Sequence, residues 1–298
     1  MSQSVRLGFF CALGAYSIWG LLPLYFKALV HIQPELMLAH RIIWSLPTGL
    51  VLLAIAGALP ELKAALNRKT ALCLTLSACL IALNWLVYIW AVGQERVLEA
   101  SLGYYINPLV NVAIGALFLA ERLRLMQWSA VGLAAIGVIA MTYALGQPPS
   151  VSLVLCFSFA GYGLIRKYLV IDGRAGFVVE TALLFPLALI WMFHFSGQGG
   201  AVWGHGTVRD IGLLLLAGPL TAFPLILFAL AAKRLTFATV GMMQYIGPTL
   251  QFLLAVLFFG EAFGPVHGVA FGFIWAALFV FSLDNLKVSR RARVALPD

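Results

Sequence analysis

Ten apolar runs, each close to the length that crosses a bilayer as a helix, restrict this chain more than any other feature. They lie at Leu7 to Phe26, Leu36 to Gly57, Leu72 to Val92, Leu98 to Leu119, Met126 to Leu145, Val151 to Ile165, Phe177 to Phe195, Ile211 to Ala231, Phe237 to Phe259 and Val266 to Leu283. A helix needs about 20 residues to span the hydrocarbon. Within lipid every backbone N–H and C=O must be paired inside the protein, which leaves helices and closed barrels. The runs are too long and too continuously apolar for the alternating strands of a barrel. The expected fold class is therefore an all-α membrane protein of ten transmembrane helices. Composition agrees: 62% of the 298 residues are hydrophobic and 10% charged, with a mean hydropathy of +0.99, whereas soluble domains carry about 25% charged residues. The first run ends on Tyr25-Phe26-Lys27 without a small-residue cleavage site, so it is expected to be a retained helix and not a removed signal peptide.

The fourth and ninth runs are copies of one another. Adding 140 to the numbering carries Tyr105-Ile106-Asn107-Pro108 onto Tyr245-Ile246-Gly247-Pro248 and carries Glu121 onto Glu261. A shared proline inside an apolar run, with an acidic residue held at the same distance, reads as an internal duplication. Residues 1-145 and 146-298 then form two five-helix repeats of one integral membrane unit. Five is odd, so the second copy enters the membrane inverted relative to the first. Inverted repeats are the architecture of secondary transporters, with a site at the repeat interface near the bilayer midplane.

Basic residues set the expected orientation. Arg6, Lys63, Arg68, Lys69, Arg122, Arg124, Arg166, Lys167, Arg174, Lys233, Arg234, Lys287, Arg290, Arg291 and Arg293 fall in connections on the side of the N-terminus, against Lys27, Arg96 and Arg209 on the other. Cytoplasmic loops carry the excess of Lys and Arg, which puts the N- and C-termini of this multi-pass chain in the cytoplasm. The net charge of +8 is thus a topology signal. Basic residues dispersed among short loops do not build a nucleic-acid surface, so the expected partners are the lipid bilayer and a small-molecule substrate.

Polar residues inside the runs are the candidate site. Tyr16, Trp19, Gly20 and Pro23 share one face of the first helix, where the aromatics either stack on a substrate or pack against neighbours. Tyr162 stands between Gly161 and Gly163 in the short sixth run, which is expected to break there; paired interrupted segments point to a binding site. Asn84 and Tyr88, with Trp85 beside them, either line a cavity or join helices. Tyr104, Asn107 and Asn111 form one stripe in the fourth run, with Gln244, Gly247 and Gln251 as counterparts in the ninth and Tyr245 adjacent. Pro108 and Pro248 each free a carbonyl that must find a partner in protein or in a water-filled cavity, which makes them gating candidates.

Ionisable groups in or near the runs are few. His40-Arg41 lies one to two turns into the second run, where charge suggests function by default; the alternative is that Arg41 snorkels to the outer headgroups, paired with Glu35. Glu121 and Glu261 are expected to anchor loops, and Glu180 and His194 to be solvated at the two ends of the seventh run. Gly197 to Gly206 reads as a mobile outer loop. Gly268 and Gly272 are spaced for close helix packing, within one chain or between two, which leaves monomer and homodimer open. Cys11, Cys73, Cys79 and Cys156 lie in apolar runs with no metal-ligand spacing, so neither a metal nor a cofactor is expected.

Several of these stretches carry a resemblance: Ala15-Tyr16-Ser17-Ile18-Trp19-Gly20, His40-Arg41-Ile42-Ile43-Trp44-Ser45, Asn84-Trp85, Leu98-Glu99 through Asn111, Phe157-Ser158-Phe159 through Arg166-Lys167, and Gln244 through Thr249. In them the chain resembles the drug/metabolite transporter superfamily, in its ten-helix EamA-type branch, and more closely the RarD family of chloramphenicol-sensitive proteins. The resemblance implies two inverted five-helix units around a central pocket and alternating access in the bacterial cytoplasmic (inner) membrane. It also implies movement of a small organic metabolite or drug. It draws His40, Arg41 and Glu99 into the gating or coupling set, Glu99 being the carboxylate nearest a role in proton coupling unless it simply pairs with Arg96. Tyr105 departs from the pattern, which often has Phe there.

The expected function is therefore a secondary transporter, a permease or exporter of small organic molecules. No GxxxxGK[ST] loop is present to make it an ATPase. An intramembrane enzyme acting on lipid-linked substrates is one alternative and a noncatalytic membrane scaffold another. The chain holds no Gly-x-Ser-x-Gly elbow and no HExxH, so it is expected not to be an enzyme and no catalytic residue is assigned.

Overall fold

The computed structural model describes residues 3–118, 123–169, 171–195, 207–232, 234–235 and 237–294. Glu121 and the glycine-rich segment with Trp203 and His205 lie outside them. Among the described residues every regular element is helical. The helices are α1 (Gln3–Ala28), α2 (Pro34–Ile55), α3 (Arg68–Gly93), α4 (Val97–Phe118), α5 (Leu125–Leu145), α6 (Ser150–Tyr168), α7 (Gly173–Phe195), α8 (Val208–Ala232), a ninth in two pieces, α9a (Phe237–Met243) and α9b (Ile246–Leu253), and α10 (Pro265–Val294), with a short 3-10 helix at Leu59–Leu66. Seven of them, α1, α2, α3, α5, α7, α8 and α10, are long and apolar enough to cross a membrane.

Local chemistry sets several ends. Asn67 caps α3 through the N–H of Lys69, 2.9 Å away. Asp172 caps α7, its Oδ1 accepting from the N–H of Arg174 at 2.9 Å and of Ala175 at 3.3 Å. Thr207 and Asp210 form a reciprocal box at the start of α8, Thr207 N–H donating to Asp210 Oδ2 and Asp210 N–H to Thr207 Oγ1. Such side chains pair backbone donors that the first helical turn leaves open.

Three expectations change. The ninth span is not one helix: it breaks at Gln244 and Tyr245, just before Pro248, whose ring lacks an N–H and crowds the carbonyl four residues earlier, that of Gln244. It ends in a π turn at Leu254–Phe258, where Phe259 N–H reaches Leu254 O at 2.8 Å. Conversely, α6 runs unbroken through Gly161 and Gly163. Each glycine costs a helix only about 1 kcal/mol relative to alanine, less than losing a backbone hydrogen bond away from water. Gly268 and Gly272 do not make the close approach of α5 to α10. Gly137 does, since a Cβ there would lie 3.0 Å from the Ala270 carbonyl, whereas one at Gly272 would meet nothing within 4 Å.

The helices gather into two compact units, each drawing on both halves of the sequence. The first comprises Met1–Gly20, Glu95–Ala160 and Phe228–Asp298; the second comprises Leu21–Gln94 and Gly161–Leu227. In the first, α10 packs along α5 and α4 packs on α9b. Arg124 ties the start of α5 to α10 through two donors on Asp284 Oδ2, at 2.8 and 2.6 Å. Phe252, Phe263, Phe271 and Trp275 interlock edge to face or tilted at 5.0 to 5.9 Å. In the second unit α2 packs along α7, with Gly49 admitting Val178 and Phe177, and Leu53, Ala58, Ala175 and Val178 closing one end of the core.

Candidate functional site

The duplicated motif meets itself inside the first unit. Tyr105 of α4 stacks on Tyr245, its counterpart in the second copy, with ring centroids 6.5 Å apart and planes at 20°. The Tyr105 hydroxyl shares a 2.8 Å hydrogen bond with Thr249 Oγ1. Close by in sequence, Asn107 is buried and accepts a hydrogen bond from Asn111 Nδ2 on its Oδ1, at 2.9 Å. Tyr104 meets Phe159 of α6 edge-on at 6.4 Å.

Proline chemistry joins α1 to α9b. Pro23 has no N–H to give to the carbonyl of Trp19 four residues earlier, and Gln251 Nε2 donates to that carbonyl instead, at 3.3 Å. Gly20 makes the approach possible, since a Cβ there would lie 2.7 Å from Leu250 Cβ and 3.0 Å from the Gly247 carbonyl. Tyr16 and Trp19 pack against each other at 5.6 Å and on Phe228 at 6.2 and 6.1 Å. Four buried polar atoms of this unit, Asn107 Nδ2, Tyr245 OH, Gln251 Oε1 and His267 Nδ1, have no hydrogen-bond partner among the described residues. Leaving such an atom unpaired costs about 1–3 kcal/mol.

Carboxylates brace the same unit. Glu99 Oε2 accepts from Arg96 Nε at 2.8 Å, and its Oε1 accepts from the N–H of Val151 in the first turn of α6, at 2.9 Å. Glu261 accepts from the N–H of Val97 and of Leu98, both at 2.7 Å, and so caps α4. Glu261, expected to anchor a loop, instead caps the N-terminus of another helix.

The remaining candidates lie in the second unit. Arg41 does not snorkel. It is buried, its guanidinium carbon 4.3 Å from the Trp85 ring centroid and 5.7 Å from that of Phe26, with Nε donating to Thr221 Oγ1 at 2.9 Å. A flat, weakly hydrated guanidinium gains from stacking on indole. Asn84 and His40 are buried, and Tyr88 meets Phe26 edge-on at 5.9 Å.

Glu180 is not boundary-solvated. It is 3% exposed, accepts from Ser77 Oγ at 2.6 Å and faces Arg166 Nη1 at 3.6 Å. Tyr162 of α6 is within electrostatic reach of both Glu180 and Arg166. Sequence reasoning passed over this cluster because its members lie in three separate runs. The usable signal was a Glu inside the seventh run and an Arg at the end of the sixth.

Comparison with known proteins agrees with the fold and the motifs. A model of the EamA-like transporter family matches residues 6–143. The chain is 44% identical to Protein RarD of Salmonella typhi over 291 residues, covering 97% of this chain and 99% of that one. It is 45% identical to an uncharacterized transporter of Pseudomonas aeruginosa over 293 residues, covering 97% of this chain and 98% of that one. A chloramphenicol-sensitive protein RarD of the same organism is 32% identical over 289 residues, at 95% and 96% coverage. A solved crystal structure, 19% identical, shares the fold with a TM-score of 0.58 over 95% of this chain and 98% of that one. With identity at this level along nearly its whole length, the chain belongs to the RarD family of EamA-like transporters, membrane proteins of the drug/metabolite transporter superfamily.

Proposed function

We propose that the protein is a secondary transporter of small organic solutes in the bacterial cytoplasmic membrane. In this reading residues 1-145 and 146-298 are inverted five-helix repeats, with both termini cytoplasmic. Transport proceeds by alternating access, without catalytic chemistry. The substrate meets the protein where α4 of the first repeat packs on α9b of the second, among Tyr16, Trp19, Tyr104, Asn107, Asn111, Gln244, Tyr245 and Gln251. Within the second unit, Asn84, Trp85, Tyr88 and Tyr162 are further solute-binding candidates, with His40 and Arg41 as gating elements.

The observation that carries this reading is the set of unpaired buried atoms on Asn107, Tyr245 and Gln251. A scaffold would gain from replacing them with apolar groups, because burying a polar atom without a partner is costly. A transporter keeps them for the solute or for the water it displaces. The broken ninth helix supports the same reading, since discontinuous helices form the sites of secondary transporters.

The test is solute flux in proteoliposomes of purified protein, with amino acids, other small metabolites and chloramphenicol as probes. Saturable flux that disappears in Asn107→Leu and Gln251→Leu variants of unchanged fold is the expected result. Normal flux in both variants would remove the site assignment, and no wild-type flux for any probe would favour the scaffold.

A further inference from the structure

The Ser77, Glu180 and Arg166 cluster of the second unit buries a carboxylate within a span beside a cation and an exchangeable hydroxyl. Glu180 stands in the second turn of α7, where the chain from Gly173 has risen about 10 Å, and it is 3% exposed. An ionisable group held at such a position in a membrane helix is expensive and marks function by default.

The cluster's geometry is that of a site with two states. Arg166 Nη1 lies 3.6 Å from Glu180 Oε1, close enough to attract but beyond hydrogen-bond reach, and Nη1 has no hydrogen-bond partner among the described residues. The guanidinium is held off by its own second contact, Nη2 donating to the Gly173 carbonyl at 3.1 Å. It sits where a side chain at Gly176 would be, so that glycine makes room for it. Ser77 donates to Oε1 at 2.6 Å, and a hydroxyl can equally accept from a protonated acid. Both contacts fall on Oε1, which leaves Oε2 to take a proton.

We propose that Glu180 is a proton-binding site, and that its loading and unloading couples the transport cycle to a proton gradient. In the loading step a hydronium ion gives its proton to Oε2; an O–H bond forms, the hydronium becomes water, and release is the reverse. The cluster passes from neutral to a single positive charge, so Arg166 loses its counter-ion and the contact between α6 and α7 weakens. Arg166 is the charged group acting on Glu180, with Tyr162 also from α6 and Ser77 from α3. The α2 helix, packed along α7, carries no ionisable side chain between Arg41 and its end at Ile55. The 3-10 helix brings Glu61 and Lys63, of which Glu61 acts on Arg174 at the start of α7. The coupling rests on the transporter reading, whereas the proton site does not.

Two measurements separate them. Infrared difference spectra of the purified protein between acid and alkaline buffer should show a carboxylic acid C=O band that is missing in Glu180→Gln and present in Glu99→Gln. A band unchanged in Glu180→Gln overturns the proposal. Should that variant not fold, a Ser77→Ala titration midpoint equal to the wild type overturns it as well, because the hydroxyl contact acts on Glu180. In proteoliposomes, an imposed proton gradient should accelerate wild-type flux severalfold and leave Glu180→Gln flux unaccelerated. Wild-type flux indifferent to the gradient overturns the coupling. Absence of any wild-type flux sinks the transporter reading and the coupling with it, and the infrared band then decides the proton site alone.

Discussion

Tyr105 and Tyr245, which hold the same place in the two copies of the motif, stack with their ring planes 20° apart and their centroids at 6.5 Å. The Tyr105 ring also meets Phe271 and Trp275 edge-on, at 6.0 and 6.5 Å. Tyr105→Phe keeps these ring contacts and gives up the bond to Thr249, so it should lower stability by about 0.5–1.5 kcal/mol. Tyr105→Ala empties the site and should cost about 3–5 kcal/mol. Unfolding in detergent, followed by intrinsic fluorescence, measures both. Equal losses in the two variants would mean that the hydroxyl, not the stack, holds α4 to the ninth helix.

Glu261 caps α4 from a distant part of the chain, satisfying two N–H groups of the first turn with one carboxylate. Negative charge at a helix N-terminus is favourable, and loss of a cap costs about 0.5–2 kcal/mol. Glu261→Gln should be destabilised less than Glu261→Ala, because the amide oxygen still accepts one bond. Hydrogen exchange of the Val97 and Leu98 amides is the sharper readout, and it should accelerate in both variants. Unchanged exchange in Glu261→Ala would disprove the cap.

At Gly176 a methyl group would fall on the Arg166 guanidinium. Gly176→Ala should therefore displace that side chain and cost about 1–3 kcal/mol, the range for overpacking. The double variant with Arg166→Ala should recover most of that loss, a coupling that a double-mutant cycle isolates. Additive losses would show that the two residues do not compete for the same space.

The Arg174 side chain hydrogen-bonded to Asp172, together with the backbone N–H groups of Arg174 and Ala175, holds this carboxyl below the usual carboxylate range. Its folded value is lower than its unfolded value. The cap's stabilisation is therefore fully present above the ordinary carboxylate value of about 3.9 and is lost as pH falls through the folded one. Asp172→Asn should flatten the acid side of the stability profile while leaving a weaker amide cap at neutral pH. A denaturation series against pH, wild type beside variant, checks this. Parallel acid-side slopes would assign the acid sensitivity to other groups.

Much of the fold was legible because it depends on neighbours in sequence. Apolar length and the need to pair every backbone group fixed the all-helical class and the places of the spans. The copied Tyr-Ile-x-Pro motif located α4 and α9, whose tyrosines turn out to meet. Legibility failed where two local rules competed. The glycines around Tyr162 suggested a broken sixth helix, but lipid penalises unpaired backbone more than glycine disfavours the helix. The break falls in the ninth helix instead, where Pro248 removes a donor and Pro108 at the equivalent place in α4 does not end its helix.

What the sequence by itself determined is the membrane class, the helix positions, the family motifs and the residues rich in polar chemistry, since each is a property of composition, period or local order. What only the tertiary structure decided is which of those residues meet. Gln251 reaches the Trp19 carbonyl across 232 positions, Arg41 reaches Thr221 across 180, and Ser77 reaches Glu180 across 103. No local pattern encodes those pairings. They arise because a buried donor or charge in a low-dielectric interior must take whatever partner the packed helices bring within about 3 Å.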